Sequence, residues 1–143
     1  MLDVREIMTP RERLVVIHPE STIDEVRNVM ANNKIRHLPV LDAGGALVGV
    51  VSLTDVLVAG NGGTREVRDI MVRDPDTVDE RDNVRHVALL MFRLKRSCLP
   101  VLRDGELRGI VTDSDYLGVA ITLMEQMESV EPDAEDLDAS DDL

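Results

Sequence analysis

Apolar and polar positions along the chain follow two rhythms, and each rhythm occurs twice. Val15-Val16-Ile17 is a β-branched run that predicts a strand. Ile23, Val26, Val29 and Met30, continuing to Asn33, recur at the spacing of one helix face, and Thr22 with Glu25 supplies a capping-box opening. Val84, Val87, Leu90, Met91 and Leu94 repeat that stripe behind Asp82 or Asn83 as the cap. Each helix is followed by two short apolar runs joined by a glycine-containing turn, Leu38–Leu41 with Leu47–Ser52 and Leu99–Leu102 with Leu107–Thr112, the pattern of a hairpin. A second helix is predicted after each pair: one cut short by Gly60-Asn61-Gly62-Gly63, the other running from Tyr116 to about Met127.

The rhythms repeat because the sequence does. Val4-Arg5-Glu6-Ile7-Met8 returns as Val67-Arg68-Asp69-Ile70-Met71, Leu38-Pro39-Val40-Leu41 as Leu99-Pro100-Val101-Leu102, and Gly49-Val50-Val51-Ser52-Leu53-Thr54-Asp55 as Gly109-Ile110-Val111-Thr112-Asp113-Ser114-Asp115. The offset drifts only where turns are predicted. The organisation is therefore an α+β fold of two β-α-β-β-α repeats: residues 1–60, a linker at 61–66, residues 67–127, and an acidic tail at 128–143 whose composition predicts disorder. One such repeat buries too little surface to stand alone, so two are expected to pack through their sheets about a pseudo-two-fold axis.

Charge narrows the function. Of 28 acidic residues, nine lie from Glu125 onward with no Lys or Arg among them, so a formal charge of −12 falls to −3 for residues 1–124. Neither value suits a nucleic-acid grip, which needs clustered cations, and Phe92 and Tyr116 are too few aromatics for a base-stacking platform. No apolar run reaches the length of a membrane span, and Met1-Leu2-Asp3-Val4-Arg5-Glu6 has the pattern of neither a signal nor a transit peptide; a cytoplasmic protein is expected. A lone Cys98 and scattered His18, His37 and His86 offer no metal site. There is no P-loop, no carboxylate cluster for a metal, and no nucleophile beside a base, which argues against an enzyme.

The paired Ile-Met, Leu-Pro-Val and Gly-h-h-(Ser/Thr)-x-x-Asp elements, in order in both copies from residue 4 to about 127, resemble a tandem pair of CBS domains, a Bateman module. The resemblance implies a regulatory module whose clefts, built from both repeats, bind an adenosine-containing ligand such as AMP, ADP, ATP or S-adenosylmethionine. It implies no cofactor beyond that regulatory nucleotide, a homodimer, and an unidentified regulated protein as partner. A ligand-free interaction module with vestigial clefts is the alternative.

The candidate chemistry centres on the two strand-to-helix turns. A helix N-terminus offers free N–H groups to an anion, a small hydroxyl can donate to a phosphate oxygen, and a carboxylate repelled by phosphate can accept from ribose hydroxyls. The resemblance gives the same roles: Asp55 and Asp115 to the ribose, Ser52, Thr54, Thr112 and Ser114 to the phosphate side. Helix capping is the competing role for these residues. For the adenine, it points to Ile17, Pro19, Leu38, Pro39 and Val40 facing Asp115, and to Val78, Leu99, Pro100 and Val101 facing Asp55; the competing role there is core. The only two lysines, Lys34 and Lys95, hold equivalent positions before the proline-bearing strands and are followed by Arg36 and Arg96, four candidate phosphate cations that would equally suit solvated helix ends. His37 and Cys98 sit at the same rim, His37 as a phosphate contact or structural histidine, Cys98 as a buried small residue. The apolar stripes Ile23/Val29/Met30 and Val84/Leu90/Met91, with Ala120, Ile121, Leu123 and Met124, exceed what one small module can hide and are expected to supply the dimer contact.

Overall fold

The computed structural model describes residues 2–61 and 65–130. Its elements run β1 (Thr9–Pro10), α1 (Ile23–Asn33), β2 (His37–Leu41), β3 (Leu47–Ser52), α2 (Leu53–Ala59), β4 (Val72–Arg73), β5 (Val78–Asp79), α3 (Val84–Leu94), β6 (Cys98–Arg103), β7 (Glu106–Thr112) and α4 (Asp113–Val130). Short 3-10 turns at Val4–Glu6, Arg11–Arg13 and Val67–Asp69 complete it. The two hairpins appear as the alternation requires, β2 antiparallel to β3 and β6 antiparallel to β7.

The repeats are not self-contained. β1 belongs to the first copy by sequence but pairs with β7 of the second, Thr9 opposite Ile110 and Pro10 opposite Gly109. β4 does the reverse, Val72 opposite Val50 and Arg73 opposite Gly49. The sheets therefore have the orders β1-β7-β6-β5 and β2-β3-β4. The 3-10 turns ahead of these strands cross with them. Val4 N–H donates to Asp82 at 2.8 Å and its side chain enters the core of Val78, Val87, Leu99, Val101 and Val111; Val67 N–H donates to Ser21 at 2.8 Å and enters that of Ile23, Val26, Leu38, Val40 and Val51. Each Ile-Met leader is thus the final piece of the other copy's core.

Glycine makes the crossing possible. A Cβ on Gly109 would meet the Thr9 carbonyl and lie 2.8 Å from Met8 Sδ; one on Gly49 would lie 2.8 Å from both Met71 Sδ and the Val72 carbonyl. The leading Met and the strand glycine of the repeat signature are two sides of one contact, made twice.

Several local expectations change. Val15-Val16-Ile17 is not a strand: only Ile17 joins the sheet, as a parallel bridge to Val40. Thr22 accepts from Glu25 N–H at 3.1 Å as the cap of α1, without a returning bond from the Glu25 carboxylate. Asn83 is the cap of α3, accepting from Arg85 and His86, while Asp82 accepts from Asp79 N–H. Asn33 leaves the stripe and donates to the Val29 carbonyl, and Leu94 is exposed. α4 continues three residues past Met127, and the tail beyond Val130 lies outside the described residues.

The stripes of α1 and α3 face inward, with Ile23, Met30 and Met91 buried and Val29, Val84 and Leu90 partly buried, while Phe92 and Leu94 of α3 are exposed. Further exposed apolar residues lie on α2, at Leu57 and Val58, and on α4, at Leu117, Ile121, Leu123, Met124 and Met127. No helix of the described residues is long and apolar enough to cross a membrane.

The crossing contact gives a direct test. Gly109→Ala should lose about 1–3 kcal/mol to overpacking against Met8 and the Thr9 backbone. Gly118→Ala, whose added methyl meets nothing within 4 Å on α4, should gain about 0.5–1 kcal/mol from helix propensity. Chemical denaturation of the two variants measures both.

Candidate functional site

Each hairpin delivers its last strand residue directly into a helix start. Ser52 ends β3 and caps α2: its hydroxyl accepts from Asp55 N–H at 3.1 Å, and Asp55 Oδ2 accepts from Ser52 N–H at 2.9 Å, a closed capping box. At the second turn Asp115 Oδ2 accepts from Thr112 N–H at 2.8 Å and from the Thr112 hydroxyl at 3.3 Å. Thr54 and Ser114, the expected alternatives as caps, lie inside the helices. Both aspartates therefore cap, and among the described residues neither Oδ1 has a hydrogen-bond partner. Capping and ligand binding do not compete for the same oxygen.

Beside each turn the crossed leader closes a cleft. The cleft at Asp115 holds about 590 Å3 and is built by Thr9 and Arg13–Val15 after the first Ile-Met, Lys34–His37 after α1, Ser52–Thr54 and Leu57 of α2, and Ile110 with Thr112–Asp115. The cleft at Asp55 holds about 510 Å3 and is built by Val72–Asp76 after the second Ile-Met, Lys95–Pro100, Val50, Ser52, Thr54 and His37. Both volumes fall within the range of about 300–1,000 Å3 of small-molecule sites. Both clefts draw on both repeats.

The structure gathers most of the expected polar residues. Asp115, Thr112, Ser114, Lys34 and Arg36 line the first cleft, Asp55, Lys95 and Arg96 the second, and His37, Ser52 and Thr54 both. The expected apolar walls are placed differently. Ile17, Leu38, Val40, Val78 and Val101 are core residues, Pro39 is buried beside them, and Pro19 receives the Arg68 N–H of the crossing leader; none lines either cleft. Leu99 and Pro100 do reach the Asp55 cleft. Leu14, Val15, Ile35 and Leu57 supply the aliphatic surface at Asp115, and Val72 and Pro75 join Leu99 and Pro100 at Asp55. Leu14, Val15, Val72 and Pro75, with Arg13 and Arg73, escaped the sequence reading because they follow the Ile-Met pairs, whose destination is the opposite repeat.

Where the clefts meet, His37 Nε2 lies 2.8 Å from the Ser97 hydroxyl, and both residues line both clefts. Burial lowers the His37 pKa, and Arg36 adds to the lowering, while Asp113 and Asp55 oppose it. Asp115 moves the other way: loss of solvent raises its pKa, the bonds from Thr112 lower it, and Asp113 raises it further. Burial pushes the Cys98 thiol up to about 12, so it stands in the Asp55 cleft as a protonated, unreactive side chain. Tyr116 anchors α4 beside the site by donating to the Val84 carbonyl at 2.7 Å.

A family model described as CBS domain matches residues 4–62 and again 67–122. The chain is 39% identical over 103 residues to an inosine-5'-monophosphate dehydrogenase of Korarchaeum cryptofilum, a match covering 71% of this chain and spanning about a fifth, 21%, of that protein. Among solved structures it resembles CBSX2 in complex with AMP, with a TM-score of 0.78 at 30% identity, covering 87% of this chain and 99% of that one. It also resembles the CBS domain pair of protein MJ0100 in complex with 5-methylthioadenosine and S-adenosyl-L-methionine, with a TM-score of 0.76 at 29% identity, covering 83% and 95%.

The lowered His37 pKa makes stability pH-dependent. A histidine whose folded pKa lies below its unfolded value of 6.5 binds fewer protons when folded, so its contribution is complete above 6.5 and is lost as the pH falls through the folded pKa. His37→Gln, which keeps a polar partner for Ser97 and cannot titrate, should remove that part of the acid-side loss. Denaturation midpoints of both proteins between about pH 5 and 8 give the difference.

Proposed function

The chain belongs to the CBS-domain family, and on that premise we propose that it is a non-catalytic regulatory module that binds adenosine-containing nucleotides between its repeats and passes the bound state to another protein. The observation that carries this reading is the pair of capped turns: each sets a carboxylate with one uncommitted oxygen on a cleft of nucleotide size, beside cations and aliphatic surface. Asp55 and Asp115 take the ribose hydroxyls through Oδ1. Lysine and arginine after the first helix of a repeat meet the phosphate, and aliphatic walls take the adenine where an aromatic would otherwise stack. The likeness to structures holding AMP and S-adenosyl-L-methionine supports the ligand class.

Binding is expected to act on the helix starts, because the carboxylate that holds the ribose also caps the helix. α2 and α4 carry exposed apolar residues at the helices these carboxylates open, and are the elements through which occupancy is passed on. The same surface is the expected contact of a homodimer.

Two measurements test this reading. A ligand bound only by the folded state stabilises by about 2.7 kcal/mol at a hundredfold excess over Kd, so millimolar AMP should raise the melting temperature and guanosine nucleotides should do so less. Calorimetry should show 2′-deoxy-AMP about tenfold to a hundredfold weaker than AMP, the cost of one hydrogen bond to a charged acceptor. No shift with any adenosine compound would favour the ligand-free module; equal affinities for AMP and its deoxy analogues would remove the ribose role of the aspartates. For assembly, light scattering should give the mass of two chains, and Ile121→Glu, which puts a charge on the exposed face of α4, should give that of one.

A further inference from the structure

The two clefts are related by the repeat, yet their cations are not in the same condition. In the Asp115 cleft Arg13, Lys34 and Arg36 have no ion pair among the described residues, and the acids are Asp113 and Asp115. In the Asp55 cleft Arg96 is paired with Asp76 at 3.3 Å, and among the described residues Arg73 and Lys95 make no ion pair, though Arg73 is turned onto the Arg68 carbonyl at 3.3 Å. Its acids are Asp55, Asp74 and Asp76. One cleft thus presents three cations free of ion pairs against two acids; the other presents two, one of them turned onto a carbonyl, against three acids, one of them already paired. A phosphate entering the second meets Arg96 already held by Asp76 and sits beside Asp74 as well.

Resting on the nucleotide-binding reading above, we infer that the clefts divide their ligands: the Asp115 cleft takes the phosphate-bearing adenosine compound, and the Asp55 cleft takes an adenosine compound whose 5′ end is neutral or cationic. Asp74 and Asp76 suit a cationic 5′ substituent for the same reason that they oppose a phosphate. The aliphatic wall of Val72, Pro75, Leu99 and Pro100 suits an apolar one.

The two lysines offer a matched test. Lys34 and Lys95 both end a helix in the left-handed region, at φ 54° and 56°, where glycine is the least strained residue. Lys34→Gly and Lys95→Gly therefore make the same backbone change, in the direction that favours folding, and differ only in the cleft that loses a charge. Titration calorimetry with AMP should give one tight site per chain, weakened about tenfold by Lys34→Gly and less than about threefold by Lys95→Gly. Asp76→Asn, which releases Arg96, should add a second AMP site. With S-adenosylmethionine as the probe the pattern should reverse: Asp76→Asn weakens binding and Lys34→Gly leaves the sulfonium site in place. Two AMP sites of equal affinity in the unaltered chain, or a loss in Lys95→Gly matching that in Lys34→Gly, would overturn the division while leaving nucleotide binding intact. Absence of binding by every adenosine compound would instead overturn the functional reading and the division with it.

Discussion

The structure depends on one contact made twice: a methionine and the backbone after it lying against a strand glycine of the opposite repeat. The approach is so close that a single methyl group at Gly49 or Gly109 has nowhere to go. Because the leaders cross, each core is completed by a valine from the other copy, Val4 in one and Val67 in the other. Neither repeat can then be complete while the other is unfolded, which answers the surface shortage of a unit of this size without enlarging it. The crossing also makes the clefts. The chain that follows each Ile-Met emerges beside the strand-to-helix turn of the other copy and becomes one of its walls, so a ligand there touches both repeats.

Much of this was legible in the sequence. The repeat gave the hairpins, the helices and the two turns, because those are set by local rhythm and by capping chemistry within a few residues. The polar side of each cleft followed, since Ser52, Asp55, Thr112 and Asp115 are neighbours along the chain. The crossing was not legible, because nothing in Val4–Met8 or Val67–Met71 distinguishes pairing with its own repeat from pairing with the other; the choice is made by contact with a glycine on the far side of the linker, Gly109 for Met8 and Gly49 for Met71. The apolar walls were misplaced for a related reason. β2 is covered on both faces, so Leu38, Pro39 and Val40 are all buried and its alternation marks no ligand side.

Duplication fixed the backbone of the two halves more strictly than their charges. Val78 and Ile17 hold equivalent places in the two sheets, each pairing in parallel with the proline-bearing strand, but two residues beyond them one copy has Pro19 and the other Glu80. Glu80 is almost wholly buried, with its carboxylate 3.1 Å from Arg103 and 3.5 Å from Arg108, and these arginines, Arg103 first, hold its pKa below the ordinary range against the opposing effect of burial. Removing the arginines is the costly change, because the buried carboxylate of Glu80 is then left without a partner, whereas the arginines themselves are part-exposed. Pro19 and Glu80 both lend a backbone carbonyl to the incoming leader, to Arg68 and Arg5 respectively, so the same seat is kept with unlike side chains. The clefts show the same divergence at larger scale, one with three cations free of ion pairs against two acids, the other with one of its three cations paired and three acids.

Function and fold meet at single atoms in this arrangement. Asp55 and Asp115 each spend one carboxylate oxygen on a backbone N–H that the helix would otherwise leave open, and keep the other uncommitted beside a cleft. A carboxylate kept in a partly desolvated place beside Asp113, as Asp115 is, is less comfortable than one in water, and its raised pKa records that discomfort. Under the proposed function a hydroxyl donor in the cleft would relieve the carboxylate without disturbing its bond to the backbone N–H, so ligand binding and helix initiation would reinforce each other through one side chain. The helices these carboxylates open, α2 and α4, carry Leu57, Val58, Leu117, Ile121 and Met124 to the surface, so under the proposed function a change at the clefts lies at the start of the elements that bear these exposed residues.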